Sequence, residues 1–448
     1  MRTGPLLPNI IRFAVPVMLT TLLQLLFNAA DLAVVGQFCG SVSVAAVGNT
    51  GALTHLFVNC FMGLSVGIGV MVAQGVGSRN VEEVQKTVHT ALPAAVISGI
   101  ILTVLAETLC EYCLRLMNTP ENVLPLSALY MRVYFAGITF NMVYNFAAAI
   151  LRAVGDTKKP LMYLSLAGVA NVTMNLIFVT VFRMDVAGVA LATTLSQGLA
   201  AVLVVRDLLN RTDECALDFR KLRLHRDQLL RMIRIGMPAG LQSSMFSISN
   251  MMIQSSINSF GDAFMSGNAA ASNIEGFLGA TVTSYHQAAM NFVGQNVGAR
   301  RYDRVRNTLF VCLGCAGVIA VCVGIPAWIF GPKLLRIYIS DSPQAIEYGM
   351  VRIAVNFLPY FMYGFTEVSS GALRGLGNSI VPMCTSLVGI CGFRLLWLAT
   401  IFQIPQYHTP YVLYLSFPAS WLLTFLVQSG VFLVMVHLRT RRLAESSQ

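Results

Sequence analysis

Asp31 offers the clearest chemistry in the sequence. It lies in QLLFNAADLAVVG, an otherwise apolar stretch, with Gln24 and Asn28 at helical spacings that bring all three near one face. Placing a carboxylate at the centre of a membrane span costs about 2.5–3.5 kcal/mol on insertion scales, so such a residue is a functional candidate by default. Burial penalises the charge unless a proton or a cation joins it, and Asp31 could therefore bind H⁺ or Na⁺. Asn171 and Asn175 are one helical turn apart and can present amide oxygens to one point, to which Thr193 adds a hydroxyl. Hard cations such as Na⁺ take oxygen ligands of this kind. The competing readings are a carboxylate held for packing alone and an interhelical hydrogen bond between amides.

Further polar groups stand in apolar surroundings. Glu275 and Glu367 lie in the second half, where Arg394 is expected to be the one intramembrane base, paired with either carboxylate. His55 and His286 read as polar helix contacts rather than ligands. Gln24, Asn28, Tyr144 and Asn145 are candidate substrate-cavity residues. Tyr134, Tyr360, Tyr363 and many of the 21 Met could line an adaptable apolar cavity, although most will be packing. The ten cysteines are scattered; Cys110/Cys113 and Cys312/Cys315 have CxxC spacing without the partners of a zinc site. The sequence has no G-x-x-x-x-G-K-[ST] phosphate loop, HExxH, nucleophile elbow or haem-type His pair. It is read as a non-enzyme without a cofactor, driven by an ion gradient of H⁺ or Na⁺ instead of ATP.

The elements that must hold these residues follow from composition. Of 448 residues 56% are hydrophobic and 11% charged, against about 25% charged in soluble domains, so the apolar surplus needs lipid. Stretches long enough to cross a bilayer as helices number twelve: 10–36, 44–76, 91–110, 127–151, 161–182, 186–205, 236–258, 264–297, 308–331, 349–372, 382–402 and 411–437. The fold class is an all-α membrane protein. Barrel strands, which alternate apolar and polar residues, are excluded by runs such as LPAAVISGIILTVLAETL. With the N-terminus inside, 23 of the 30 basic residues, Arg2 among them, fall on the cytoplasmic side, while Arg352 falls outside. The net charge of +10 thus reports orientation in the plasma membrane with both termini cytoplasmic, and no nucleic-acid partner is implied. The first span is too long for a cleavable signal peptide and lacks a small-residue cleavage site.

The chain repeats at an offset of about 222 residues. LRAVGDTKKP, from Leu151, matches LRGLGNSIVP, from Leu373; Gln74–Gly77 matches Gln295–Gly298 one residue out of register, and Pro16 and Asn28 align with Pro238 and Asn250. Six spans return a chain to its starting side, so the halves share one orientation, a plan known in secondary transporters. The expected organisation is a six-helix lobe at 1–205, a basic cytoplasmic linker at 206–235, a second lobe at 236–437 and a tail at 438–448, with a cavity between the lobes.

LQLLFNAADLAVVGQF, YNFAAAILRAVGDTKKP, NVTMNLIFVTVFRMDVAGVALATTLSQ, NFVGQNVGARRYDRVR and GALRGLG, in this order and spacing, resemble the multidrug and toxic compound extrusion (MATE) family over nearly the whole chain. The resemblance implies twelve transmembrane helices in two pseudo-symmetric six-helix lobes forming a V around a central cavity. It further implies export of cationic or amphipathic small organic compounds in exchange for H⁺ or Na⁺, by a protein taken to be a monomer. Asp31 matches the family's first-helix carboxylate, and Asn171 and Thr193 match cation-site positions of some members. Asn175 stands where those members carry Asp, which weakens a Na⁺ site and makes proton coupling through Asp31 more plausible. GLQSSMFSISNMM lacks the acid of the NorM-like branch, while SNIEGF and YGFTEVSSGALRG look more like the DinF-like branch. Other readings are a flippase for a lipid-linked precursor, poorly served by one intramembrane base, and a structural subunit of an energy-converting complex.

Overall fold

The computed structural model describes residues 1, 3–117, 119–339 and 342–446; Arg2, counted above with the basic residues, lies outside them. The described chain is nearly all helical. Its helices are α1 (Leu6–Phe38), α2 (Ser41–Ser78), α3 (Val81–Leu116), α4 (Leu124–Ala136), α5 (Ile138–Val154), α6 (Lys158–Leu176), α7 (Asp185–Leu209), α8 (Arg226–Asn258), α9 (Asp262–Gly298), α10 (Tyr302–Ile329), α11 (Gly331–Tyr338), α12 (Pro343–Phe357), α13 (Tyr360–Gly375), α14 (Ile380–Ser386), α15 (Phe393–Ala399) and α16 (Pro410–Ser446).

Taken along the chain these make the twelve spans expected from hydropathy. α4 and α5 form one span bent by 47°; α6 runs on as a π-helix, Ile177–Val181, and a second π-helix, Leu387–Gly392, joins α14 to α15. Among the described residues eight helices are long and apolar enough to cross a membrane, or nine with the bent pair. α8 and α9 are long but carry polar residues such as Asn250, Gln254, Asn268 and Glu275. α12 and α13 are each shorter than a span and supply one only in succession.

The repeat is visible in the backbone. Gly155 and Gly377, at φ +99° and +85°, end α5 and α13 in the left-handed conformation that glycine adopts without penalty. In the next position Asp156 and Asn378 accept hydrogen bonds from Lys159 N (3.4 Å) and Val381 N (3.1 Å) at the start of the following helix. The matching LRAVGD and LRGLGN segments are therefore helix–turn–helix corners. Arg79 and Arg300 also share a left-handed φ, 58° and 55°, at the ends of α2 and α9.

The chain forms two compact units, Leu19–Ser244, and Met1–Met18 with Met245–Gln448. Compared with the sequence lobes at 1–205 and 236–437, each unit takes up the first part of the other half's leading helix. In the unit containing Met1–Met18, Ile10, Phe13, Ala14 and Val17 are buried with Ala288, Phe292, Leu309 and Leu373. In the other unit, Gly236 and Gly240 of α8 meet Gly63 and Gly67 of α2 so closely that a Cβ on Gly240 would lie 2.1 Å from the carbonyl oxygen of Cys60. Small residues four apart on both helices permit this approach. The linker is shorter than 206–235, because α7 extends to Leu209 and α8 starts at Arg226. Its connecting residues are tied to α3: Asp218 N donates to His89 Nε2 (3.1 Å) and Gln85 Nε2 donates to Glu214 O (2.9 Å). The supposed tail at 438–448 continues α16 as far as Ser446.

Candidate functional site

Within the Leu19–Ser244 unit, one glycine sets the register of α1 against α6. A Cβ on Gly168 would lie 1.8 Å from the ring of Phe27, so Phe27 seats directly on α6. One turn farther along α1, Asp31 comes level with Asn171 and Asn175, one and two turns beyond Gly168. Asn175 Nδ2 donates to Asp31 Oδ1 and, at 3.3 Å, to Asn171 Oδ1. Asn171 Nδ2 donates to Thr193 Oγ1 (3.4 Å), and Thr193 Oγ1 lies 3.4 Å from Asp31 Oδ2 and 3.0 Å from Val189 O. The four residues singled out from the sequence therefore close a ring around a single carboxylate.

Asn171 and Asn175 are buried, and among the described residues Asn175 Oδ1 has no hydrogen-bond partner. Such an orphaned buried oxygen is costly and would be satisfied by a small cation or by a proton on the carboxyl. The oxygens of Asp31, Asn171, Asn175 and Thr193 are the hard donors that fit Na⁺, and Asp31 is the one acid of the four, the group that could carry a proton instead. Two residues beyond Asn175 the π-helix begins, a distortion frequent at functional sites. Tyr130 and Tyr134, stacked with centroids 6.2 Å apart, lie within range of the Asp31 charge.

The proposed cavity residues of this unit fare differently. Gln24 and Asn28 are exposed, and no hydrogen bond joins them to Asp31 among the described residues. Tyr144 is fully buried and donates its hydroxyl to Pro160 O (3.2 Å), so it braces the α5–α6 corner instead of lining a cavity. Asn145 is buried and donates to Asn141 O and Oδ1 (2.8 and 3.0 Å).

The other unit corrects the expectation for Arg394. Arg352, assigned to the outer side from sequence, is 7% exposed and donates Nε and Nη2 to Glu275 Oε2 (3.0 and 2.7 Å), with Nη1 on Asn268 Oδ1. Arg374 is equally buried, and its Nη1 donates to His286 Nε2 (3.2 Å). That leaves His286 Nδ1 to donate to Glu367, whose main-chain oxygen and Oε2 lie 2.9 and 3.2 Å away. Arg394 is thus one of three buried arginines among the described residues and bonds neither carboxylate; its Nε donates to Ser420 Oγ (2.9 Å). His286 is a polar helix contact, as expected, whereas His55 is exposed. Among the described residues no group of three His, Cys, Asp or Glu side chains could hold a metal.

The MatE family model matches residues 16–177 and 238–398, one match on each side of the linker and starting at the offset of the internal repeat. The chain belongs to the MatE family. A relative from Bacillus subtilis, the probable multidrug resistance protein YpnP, is 28% identical over 392 residues, 87% of each chain. The FAD transporter of Shewanella oneidensis is 24% identical over 405 residues, 88% of this chain and 87% of its own. A solved outward-facing multidrug resistance MATE family transporter, 20% identical, superposes with a TM-score of 0.90 over 98% of this chain and 97% of its own. The all-α fold of twelve membrane helices in two six-helix lobes is thereby that of this MatE protein.

Sequence reading missed three parts of the MatE sites. Arg352 sits near the edge of its hydropathy window, where buried and exposed positions look alike. Tyr130 carried no distinguishing signal. Gly168 and Phe27 form one contact from residues that are 141 positions apart, and a glycine three residues before Asn171 in an apolar span is the one cue available.

Proposed function

We propose that this MatE protein is a proton-coupled exporter of amphipathic organic compounds working by alternating access, with Asp31 as the coupling group. Membership in the family and the multidrug resistance names of its relatives carry the transport assignment. The closed ring of Asp31, Asn171, Asn175 and Thr193 carries the coupling assignment. With Asp31 charged, the Asn175 amide donates to it. With Asp31 protonated, a flip of that amide presents the unpartnered Oδ1 as acceptor, so one side chain satisfies both protonation states. Protonation thereby biases the equilibrium between the two access states, in proportion to the difference in proton affinity between them.

Asn175 disfavours Na⁺, since a second carboxylate at that position would strengthen cation binding and this chain lacks it. The excess of Lys and Arg in the linker and flanking loops supports a plasma-membrane orientation with both termini cytoplasmic. A monomer suffices, because each site described lies within one unit of the chain. The Glu275 and Glu367 segments keep the chain nearer to the DinF-like pattern than to the NorM-like one. Neither a lipid-linked precursor flippase nor a structural subunit is favoured.

Substrate efflux from proteoliposomes tests the reading. Asp31→Asn is expected to abolish gradient-driven export while leaving substrate binding by the purified protein intact. Export retained at wild-type rates by that variant would overturn the role of Asp31.

A further inference from the structure

We infer that the cavity inside the second unit is a binding site for a small aromatic anion, a carboxylate, sulfonate or phosphate carried on a flat apolar body. The cavity measures about 410 Å³ and is lined by α8, α9, α12, α13 and α16 residues together with Arg394. Its formal charges are Arg352, Arg394 and Glu275. Glu275 bonds Arg352 twice through one oxygen and forms no ion pair with Arg394 among the described residues, so two guanidiniums face one carboxylate and the lining stays net positive. Arg394 is 5% exposed. Its only hydrogen bond among the described residues is Nε to Ser420 Oγ, which leaves both terminal nitrogens free to donate. A buried guanidinium without a carboxylate is expensive, and its fork geometry matches the paired oxygens of a carboxylate or phosphate.

The walls specify the rest of the ligand. Arg394 lies over Phe417, 4.0 Å from the ring centroid, which fixes the guanidinium plane. Tyr360, Tyr363 and Trp421 pack with centroids 5.2–5.7 Å apart along the same cavity. Aromatic faces beside a cation accept a flat ring whose anionic group reaches Arg394.

The internal repeat gives this polarity independent support. The alignment that pairs Pro16 with Pro238 and Asn28 with Asn250 puts Ile253, which lines the cavity, at the place of Asp31. The corner match puts Arg394 one position past the counterpart of Asn171, again beside a π-helix. The positions matching Asp31 and Asn171 carry Ile253 and Phe393 in the second unit, with Arg394 next to the latter, so the site near them has an arginine, unpaired among the described residues, where the first unit has a carboxylate.

Two xanthene dyes of similar shape and opposite charge test the assignment: fluorescein, an aromatic carboxylate, and rhodamine 123, a cation. Binding is read by fluorescence anisotropy on the full-length protein in nanodiscs of phosphatidylcholine. Fluorescein is expected to bind, and Arg394→Met to weaken it by about tenfold or more, the loss of a charge-assisted contact, with Arg394→Lys retaining part of the affinity. Rhodamine 123 binding is expected to be unaffected by Arg394→Met. Ile253→Asp, which restores a carboxylate to the cavity, is expected to abolish fluorescein binding while the protein remains folded by thermal melting, and it serves if Arg394→Met does not fold. Repeating the titration with phosphatidylglycerol in the disc separates sources: competition assigns the site to an acidic lipid headgroup, and its absence to a solute. Failure of fluorescein to bind, or equal loss of both dyes in Arg394→Met, would overturn the proposal. Because the readout is binding, it is independent of whether Asp31 couples transport.

Discussion

At the scale of single residues the proposed coupling role of the Asp31 ring makes two demands. Asn175 supplies one carboxylate fewer than a site built for Na⁺ would use, so Asn175→Asp is expected to create Na⁺-responsive export in proteoliposomes held at equal pH on both sides. A Na⁺ response equal to that of the unmodified protein would show that the amide is not what selects the ion. Gly168 is the second demand. Valine there would collide with Phe27 and push Asp31 out of line with Asn171 and Asn175, and export is expected to fall at least tenfold, roughly 1.4 kcal/mol. Adding Phe27→Ala should recover part of that loss. A double variant no better than Gly168→Val would separate the contact from the register of the site.

At the scale of elements, the corner between α5 and α6 is held by charge. Lys159 Nζ lies 2.5 Å from Asp207 Oδ1 and 3.8 Å from Asp156 Oδ2, and Arg211 reaches Asp156, Asp207 and Asp213 at 3.5, 3.6 and 2.5 Å. Its hydrogen bond to Asp207 holds the Lys159 ammonium above the ordinary lysine value. Asp213 is lowered despite its burial, because the Arg211 guanidinium and the Cys215 amide stabilise its charge. The signs oppose each other. Lysine with a raised folded value contributes fully below its unfolded pKa of about 10.4 and loses that contribution as pH rises through the folded value. Aspartate with a lowered value contributes above about 3.9 and loses its share as pH falls through the folded value. Hydrogen-exchange protection at residues 210–225, corrected for the intrinsic pH dependence of amide exchange, is therefore expected to be greatest between those limits and to fall at both ends. A flat profile would mean that these ion pairs do not hold the linker.

Elements also divide what contiguous residues reveal from what they conceal. Spans came from hydropathy and the corners from LRAVGD and LRGLGN, because both are properties of neighbouring positions in the chain. The Asp31, Asn171, Asn175 and Thr193 set was legible because a polar group in an apolar run stands out wherever its helix packs. Partners across helices were not legible. Whether Arg394 or Arg352 meets Glu275 depends on rotations of α9, α12 and α15 that no local pattern encodes, and Tyr144 looks like a cavity residue until Pro160 is found beside its hydroxyl.

For the whole molecule, duplication explains both the symmetry and its departures. The repeated corners and left-handed ends keep two six-helix lobes alike, while the ionisable residues inside them have diverged. The α2–α8 crossing, with backbone against backbone at Gly63 and Gly240, tolerates no side chain. Gly240→Leu is expected to destabilise the protein by about 1–3 kcal/mol or more, seen as a lower melting temperature in detergent, whereas an unchanged melt would contradict that packing. The proposal of proton-driven export meets its most direct test in efflux from proteoliposomes under separately imposed gradients. A pH gradient without Na⁺ is expected to drive export that is absent in Asp31→Asn, and a Na⁺ gradient at equal pH to drive little; export driven by Na⁺ alone would contradict proton coupling.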